Sequence, residues 1–207
     1  RDLATTVRKV RIELTEAVTE SLLTTVPRVF HAGVNDALLT ALTMAVRSWR
    51  AARGIEEPTA LIRLEGHGRE EDTVPGADLT RTVGWFTTIY PVRTDLRAID
   101  IGDAFAGGPA AGAAIKAVKE QLHAVPNKGI GYGLLRYLGG EPAAQLRGAG
   151  IGQISFNYLG KISAGDIPEG FADVGWIPAG DVGDLSGTAD ADTPAQATVD
   201  INAVVLG

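Results

Sequence analysis

Strand and helix patterns alternate along this chain of 207 residues, and the alternation predicts an α/β sandwich, a sheet covered by helices. Three stretches carry the prediction. "TALIRLEG" (59–66) and "QISFNYLG" (153–160) show the period-two side-chain pattern of strands, while residues 34–49, "VNDALLTALTMAVRSW", repeat apolar residues at helical spacing.

Taken in order, residues 7–14 alternate Val10, Ile12 and Leu14 with Lys9, Arg11 and Glu13, which predicts a half-buried strand. Thr15 is placed to cap a following helix with Glu16 in its first turn. Val18, Leu22 and Val26 form that helix's stripe, and Pro27 ends it. Asn35 is the expected N-cap of a longer helix with Leu38, Leu42, Ala45 and Trp49 facing the core and Gly54 as its stop.

Residues 59–66 put Leu61, Arg63 and Glu65 on one strand face and Ile62 with Leu64 on the other. "GWFTTIYPVR" (84–93) predicts another strand, its Pro91 incompatible with a full ladder. Ile115, Val118, Leu122 and Val125 predict a helix beginning near Ala113, after the flexible tract "AGGPAAGAA" (106–114). "GYGLLRYLGG" predicts a short helix closed by Gly139 and Gly140. The 153–160 strand sets Ile154, Phe156 and Tyr158 against Ser155, Asn157 and Leu159. Residues 178–196 predict a mobile loop, and "ATVDINAVVL" a last, buried strand.

Composition removes several classes of function. A net charge of −6 with scattered Lys and Arg argues against a nucleic-acid or anionic-membrane binder. The absence of cysteine excludes disulfides, thiolate catalysis and Cys-ligated metals. No signal-peptide core or membrane-length apolar run occurs, so a cytoplasmic location is expected. With only three histidines in unrelated segments and no H-x-x-x-H pair, no metal site is expected. "GIGYGLL" (129–135) has G-x-G-x-G spacing and no preceding strand, so a turn is expected there rather than a dinucleotide loop. No G-x-S-x-G elbow anchors a serine nucleophile.

General acid–base chemistry remains, and it centres on "EGHGRE" (65–70). A carboxylate at a strand end beside two glycines can project into a cleft, where Trp85, Phe86 or Tyr90 could dry it and raise its pKa. The competing reading makes Glu65 a solvated ion-pair partner of Arg63 or Arg69. Asn157 and Tyr158 are the other polar groups in a strand expected to be buried, with ordinary hydrogen bonding as their bland alternative.

Five stretches in order, "VNDALLTAL" (34–42), "EGHGRE", "RTVGWFTTIYPV" (81–92), "PNKGIGYGLLRYL" (126–138) and "ISFNYLG" (154–160), together resemble the epimerization domains of nonribosomal peptide synthetases, within the condensation-domain superfamily. The resemblance implies a chloramphenicol-acetyltransferase-like lobe, a mixed β-sheet flanked by helices. Residues 1–207 would be the C-terminal lobe, cut from a longer chain, because the family's H-H-x-x-x-D-G motif of the first lobe is missing. The implied reaction is inversion at the α-carbon of an aminoacyl or peptidyl thioester.

That resemblance also assigns roles. The substrate rides on the 4'-phosphopantetheine of a peptidyl carrier protein, no cofactor is bound directly, and the N-terminal lobe and an adenylation domain are the other partners. Glu65 is implied as a proton-transfer residue and Tyr158 as its favoured helper. Arg69, Trp85, Phe86 and Asn157 are implied at the substrate, with Trp85 and Phe86 shaping the tunnel wall, while His67 and Glu70 are structural. A condensation-type acyltransferase lobe and a non-catalytic carrier-docking lobe are the alternatives. The "AGGPAAGAA" tract and the Gly/Asp-rich 178–196 segment depart from the family pattern.

Overall fold

The computed structural model describes residues 2–73, 75–162 and 190–206. A four-stranded mixed sheet forms from β1 (Thr59–Gly66), β2 (Thr88–Asp95), β3 (Ile154–Ile162) and β4 (Val199–Leu206), in the order β2-β1-β3-β4. β2 is antiparallel to β1, while β1, β3 and β4 run parallel. The α/β class read from the alternation is the observed one.

Period two on β1 decides what lies inside. Ala60, Ile62 and Leu64 are buried, with Ile62 opposite Val92 and Ile154, and Leu64 opposite Tyr90 and Phe156. This apolar face is covered by α3 (Val34–Ala51), through Leu39 and Met44, and by α5 (Pro109–His123), through Ala114 and Val118. Fully burying a Leu, Ile or Val side chain stabilises by about 1.5–3 kcal/mol relative to leaving it exposed. Polar groups join the layers as well. The Thr43 and Thr94 hydroxyls meet at 2.8 Å inside the core. The Gln121 amide donates to the Asp95 carbonyl at 2.9 Å and accepts the Asp95 N–H at 2.7 Å, fastening α5 to the edge strand. Because β2 is an edge among the described residues, Pro91 can lack an N–H without breaking a described ladder on its outer side.

Several expectations need correction. Residues 7–15 form no strand: Val10 and Ile12 are 83% and 79% exposed, and no described strand pairs with the segment. Alternation prepares a strand, but a ladder needs a neighbour. Pro27 does not end the first helix either. The backbone continues from α1 (Glu16–Glu20) through a π segment (Ser21–Thr25) into α2 (Val26–Phe30). The Val26 N–H reaches back five residues to the Ser21 carbonyl, a wider turn that carries the helix past the missing proline donor. His31, left-handed at φ 48°, ends it.

The N-cap of α3 is Gly33, whose N–H donates to Asp36 Oδ2 at 2.6 Å; Asn35 lies inside the first turn. The buried face of α3 centres on Leu39 and Thr43, leaving Ala45 exposed and Trp49 56% exposed under the Arg53 guanidinium. Thr40 and Thr43 can sit inside because their hydroxyls donate to the carbonyls of Asp36 and Leu39. The "AGGPAAGAA" tract is largely helical, since α5 begins at Pro109 behind the N-cap Gly108. Asp103, on the unanticipated α4 (Ile101–Phe105), accepts the Ala110 N–H at 2.8 Å, and a Cβ at Gly108 would strike that carboxylate.

The remaining differences are smaller. β2 starts at Thr88, so Trp85 and Phe86 precede the strand. α6 (Ile130–Leu138) ends at Gly139 as expected, and α7 (Gly140–Gly148) follows it. Among the described residues β4 is an edge strand rather than a buried one, with Val199 and Leu206 about half exposed. Of the 178–196 loop, residues 178–189 lie outside the described residues. Residues 190–196 are tied to the N-terminal segment by Ala4 N–H to Thr193 O (2.8 Å) and Ala195 N–H to Asp2 O (2.9 Å). Among the described residues no single helix is long and apolar enough to cross a membrane.

The rotated face of α3 has a measurable consequence. Leu39→Ala is expected to cost about 2–5 kcal/mol in urea unfolding, whereas Trp49→Ala should stay within about 1 kcal/mol. Equal losses would return the core face to Trp49.

Candidate active site

A cleft of about 500 Å³ opens where β1 runs out, between the sheet, the N-terminus of α3 and the C-terminus of α5. Leu64, Tyr90 and Phe156 form its apolar floor, and Glu65, Tyr158, Asn35, Asp36, His123 and Lys128 bring polar groups to it. Glu65 and Tyr158 therefore border one cavity. They come to it from different sides: Glu65 shares a sheet face with Arg63, Asn157 and Asp200, while Tyr158 belongs to the helix-packed face with Leu64 and Phe156.

Glu65 is half-buried at the end of β1. Among the described residues no hydrogen bond or ion pair reaches its carboxylate. Arg63 instead donates to the Gln196 carbonyl (3.0 Å), and Arg69 to the carbonyls of Leu79 (2.7 Å) and Thr82 (2.9 Å). The ion-pair reading of Glu65 thus finds neither partner. Burial pushes its carboxyl above the ordinary range, the nearby Asp200 carboxylate adds to the effect, and the Arg63 charge opposes it. Burial likewise raises the Tyr158 phenol, a hydrogen-bond donor at neutral pH with or without that shift.

The loop after Glu65 is fixed residue by residue. Gly68 has φ +67°, and a Cβ there would lie 1.6 Å from the Phe86 carbonyl oxygen. His67 Nδ1 accepts the Arg69 N–H at 3.0 Å, and the Arg69 guanidinium lies 4.5 Å from the Phe86 ring centroid. Glu70, its side chain 12% exposed, takes Lys128 Nζ at 2.8 Å and His67 Nε2 at 3.4 Å. Arg69 and Phe86 thereby staple a loop outside the cleft. Trp85 is 91% exposed and Asn157 does not line the cavity, so of the residues expected at the substrate none borders this cleft.

Lys128, His123, Asn35 and Asp36 are cleft residues that reasoning from sequence did not single out. Lys128 lies in "PNKGIG" and Asn35 with Asp36 in "VNDALLTAL", stretches that mark a turn and a helix start but do not say what they face. Tyr90 was one of three aromatics expected to dry a cleft, and it is the one that lines it. Its phenol is raised mainly by burial and by the Glu70 charge, with Lys128 opposing. Asn127 and Lys128 are left-handed (φ 46° and 50°), and Gly129 (φ +79°) rests on the Tyr90 ring, where a Cβ would fall 2.3 Å from the ring. Among the described residues no group of three or more His, Asp or Glu could hold a metal ion.

Comparison with known proteins places this geometry. The condensation-domain family model matches residues 3–173. Surfactin synthase subunit 2 of Bacillus subtilis (strain 168) is 43% identical over 152 residues, 73% of this chain and 4% of that protein. Bacitracin synthase 3 of Bacillus licheniformis is 42% identical over 153 residues, 74% of this chain and 2% of that protein. The chain thus spans a few per cent of the length of these relatives. Among solved structures, the epimerization domain from the third module of tyrocidine synthetase B matches with a TM-score of 0.69 at 34% identity. The match covers 94% of this chain and 39% of that one. The chain belongs to the condensation-domain family, and its fold is that of the C-terminal lobe region of such a domain.

Proposed function

We propose that the chain is the C-terminal lobe of an epimerization domain and inverts the α-carbon of an aminoacyl or peptidyl thioester carried on the phosphopantetheine arm of a carrier protein. The observation that carries this reading is Glu65: a half-buried carboxylate at a cleft, unpaired among the described residues, with its proton affinity raised by burial. The likeness to the tyrocidine synthetase epimerization domain supports it.

In the proposed reaction, Glu65 exchanges the α-proton on one face of the substrate. As the C–H bond breaks, its electron pair moves toward the thioester oxygen, giving an enolate. The Tyr158 hydroxyl, protonated at neutral pH as any phenol is, is the proposed donor to that oxygen. A second acid–base group returns a proton to the opposite face and comes from the N-terminal lobe. The exposed, alternating apolar residues Val7, Val10, Ile12 and Leu14 offer a surface for such a lobe. Arg69 and Phe86 act here by shaping the loop, and contact of Trp85 and Asn157 with substrate would require surfaces beyond this cleft. A condensation-type acyltransferase shares the family match, but forming a peptide bond has no use for a carboxylate at this position.

The test joins the chain to its full-length synthetase, loads the carrier with an L-aminoacyl group, and follows D/L ratio and exchange of the α-proton with solvent. Glu65→Gln is expected to slow exchange by about 10²–10⁴-fold, and Tyr158→Phe by about a hundredfold. Unchanged exchange in Glu65→Gln would remove the assignment; peptide-bond formation without exchange would favour the acyltransferase.

A pH series gives an independent sign. Since the folded-state pKa of Glu65 is raised, the native state holds this proton to higher pH than the unfolded chain. Its contribution turns unfavourable as pH climbs through the carboxylate range and stays so above it. Glu65→Gln is therefore expected to unfold at equal urea at low pH and at slightly higher urea at neutral pH. A less stable variant at neutral pH would instead mark Glu65 as a structural ion-pair partner.

A further inference from the structure

We propose that the Glu70–Lys128 ion pair is a positioning clasp, closing the loop that follows Glu65 onto the left-handed turn at residues 127–129 and so fixing the Glu65 carboxylate at the cleft mouth. The inference rests on the reading of Glu65 as a proton-transfer group. A closed circuit of contacts carries it. Glu65 leads through Gly66, His67, Gly68 and Arg69 to Glu70, whose carboxylate takes Lys128 Nζ at 2.8 Å. Lys128 is followed by Gly129, which rests on the Tyr90 ring, and Tyr90 stands opposite Leu64, the residue before Glu65.

Three features separate this pair from an ordinary surface ion pair. Glu70 is the buried end, with 12% of its side chain exposed against 72% for Lys128, so losing the cation would strand a largely desolvated carboxylate. Asn127 and Lys128 both hold left-handed backbone that non-glycine residues avoid, and such strain persists only where surrounding contacts over-determine it. Lys128 itself lines the cleft with Glu65 and Tyr158, so the clasp ties the loop after Glu65 to a residue of the cleft lining. Glu65 has no partner of its own among the described residues, and its placement depends on the two ends of the peptide that carries it. β1 pins one end. The Glu70–Lys128 pair, with His67 at 3.4 Å from Glu70, pins the other.

The experiment uses the full-length synthetase with a carrier bearing an L-aminoacyl group and compares Glu70→Gln, Lys128→Met, the two combined, and Lys128→Arg. Each of the first two is expected to lower kcat for α-proton exchange about ten- to a hundredfold with KM for loaded carrier within about twofold, because misplacement of a reacting group by an ångström costs that much. The combined variant should lose no more than the worse single one, and Lys128→Arg should keep activity within a few fold. Amide hydrogen exchange supplies a readout independent of catalysis: Lys128→Met should speed exchange at residues 66–70, and Glu70→Gln at residues 127–130. Additive losses, a change in KM alone, or unmoved amide exchange at the partner loop would overturn the clasp. If Glu65→Gln leaves α-proton exchange intact, the proposed function fails and the role in positioning falls with it, while the amide data still decide whether the two loops are coupled.

Discussion

The burial of Ile62 at the centre of β1 is the constraint from which the rest follows. With no exposed surface, it needs β2 on one side, β3 on the other and the α3–α5 layer above. Once Ile62 faces the helices, period two leaves no choice for its neighbours: Leu64 must point into the core, and Arg63 and Glu65 must point away. A one-residue slip would set Arg63 and Glu65 against the apolar face of α3 and turn Ile62 and Leu64 to the polar face, a change no local adjustment could offset. The register that builds the core therefore also delivers the candidate catalytic carboxylate to the end of the strand.

Electrostatics at that strand end follow from where each neighbouring charge is already committed. Arg63 donates to the Gln196 carbonyl, Arg69 to two carbonyls of its own loop, and Lys128 pairs with Glu70, so Glu65 has no direct partner among them; burial and the Asp200 charge raise its carboxyl, and the Arg63 charge only partly opposes them. A carboxylate left in that position costs stability rather than adding to it. Native proteins tolerate such costs chiefly at functional sites, and this one is balanced by the apolar core beneath it.

Much of the fold was legible. β1 and α3 follow directly from their periodicities, and Gly139 closes α6 where the sequence places it. The failures have different causes. Residues 7–14 carry strand alternation but lack a neighbour, Pro27 is accommodated by a π turn, and the Ala/Gly tract at 109–114 is helical because small residues let α5 lie close, with a Cβ at Gly112 meeting the Phe30 ring. Only the last of these turns on a contact distant in sequence; the first lacks such a contact, and the second is a local change of helical hydrogen bonding. The site was legible in two residues of its polar rim, Glu65 and Tyr158. Glu65 stood out by type and position, while Arg69 and Phe86 meet in the loop after it and Trp85 lies exposed before β2.

Order along the chain was enough for the α/β class, for the alternation that separates Ile62 and Leu64 from Arg63 and Glu65, and for the motif set that identifies the family. Three things waited on the folded chain: which face of α3 is buried, that Glu65 is left without an ion-pair partner among the described residues, and that Lys128, 63 positions after it, reaches back to Glu70 to frame the same cleft. Pairing choices of this kind are settled by competition among all groups within reach in space, and sequence spacing holds no record of that competition.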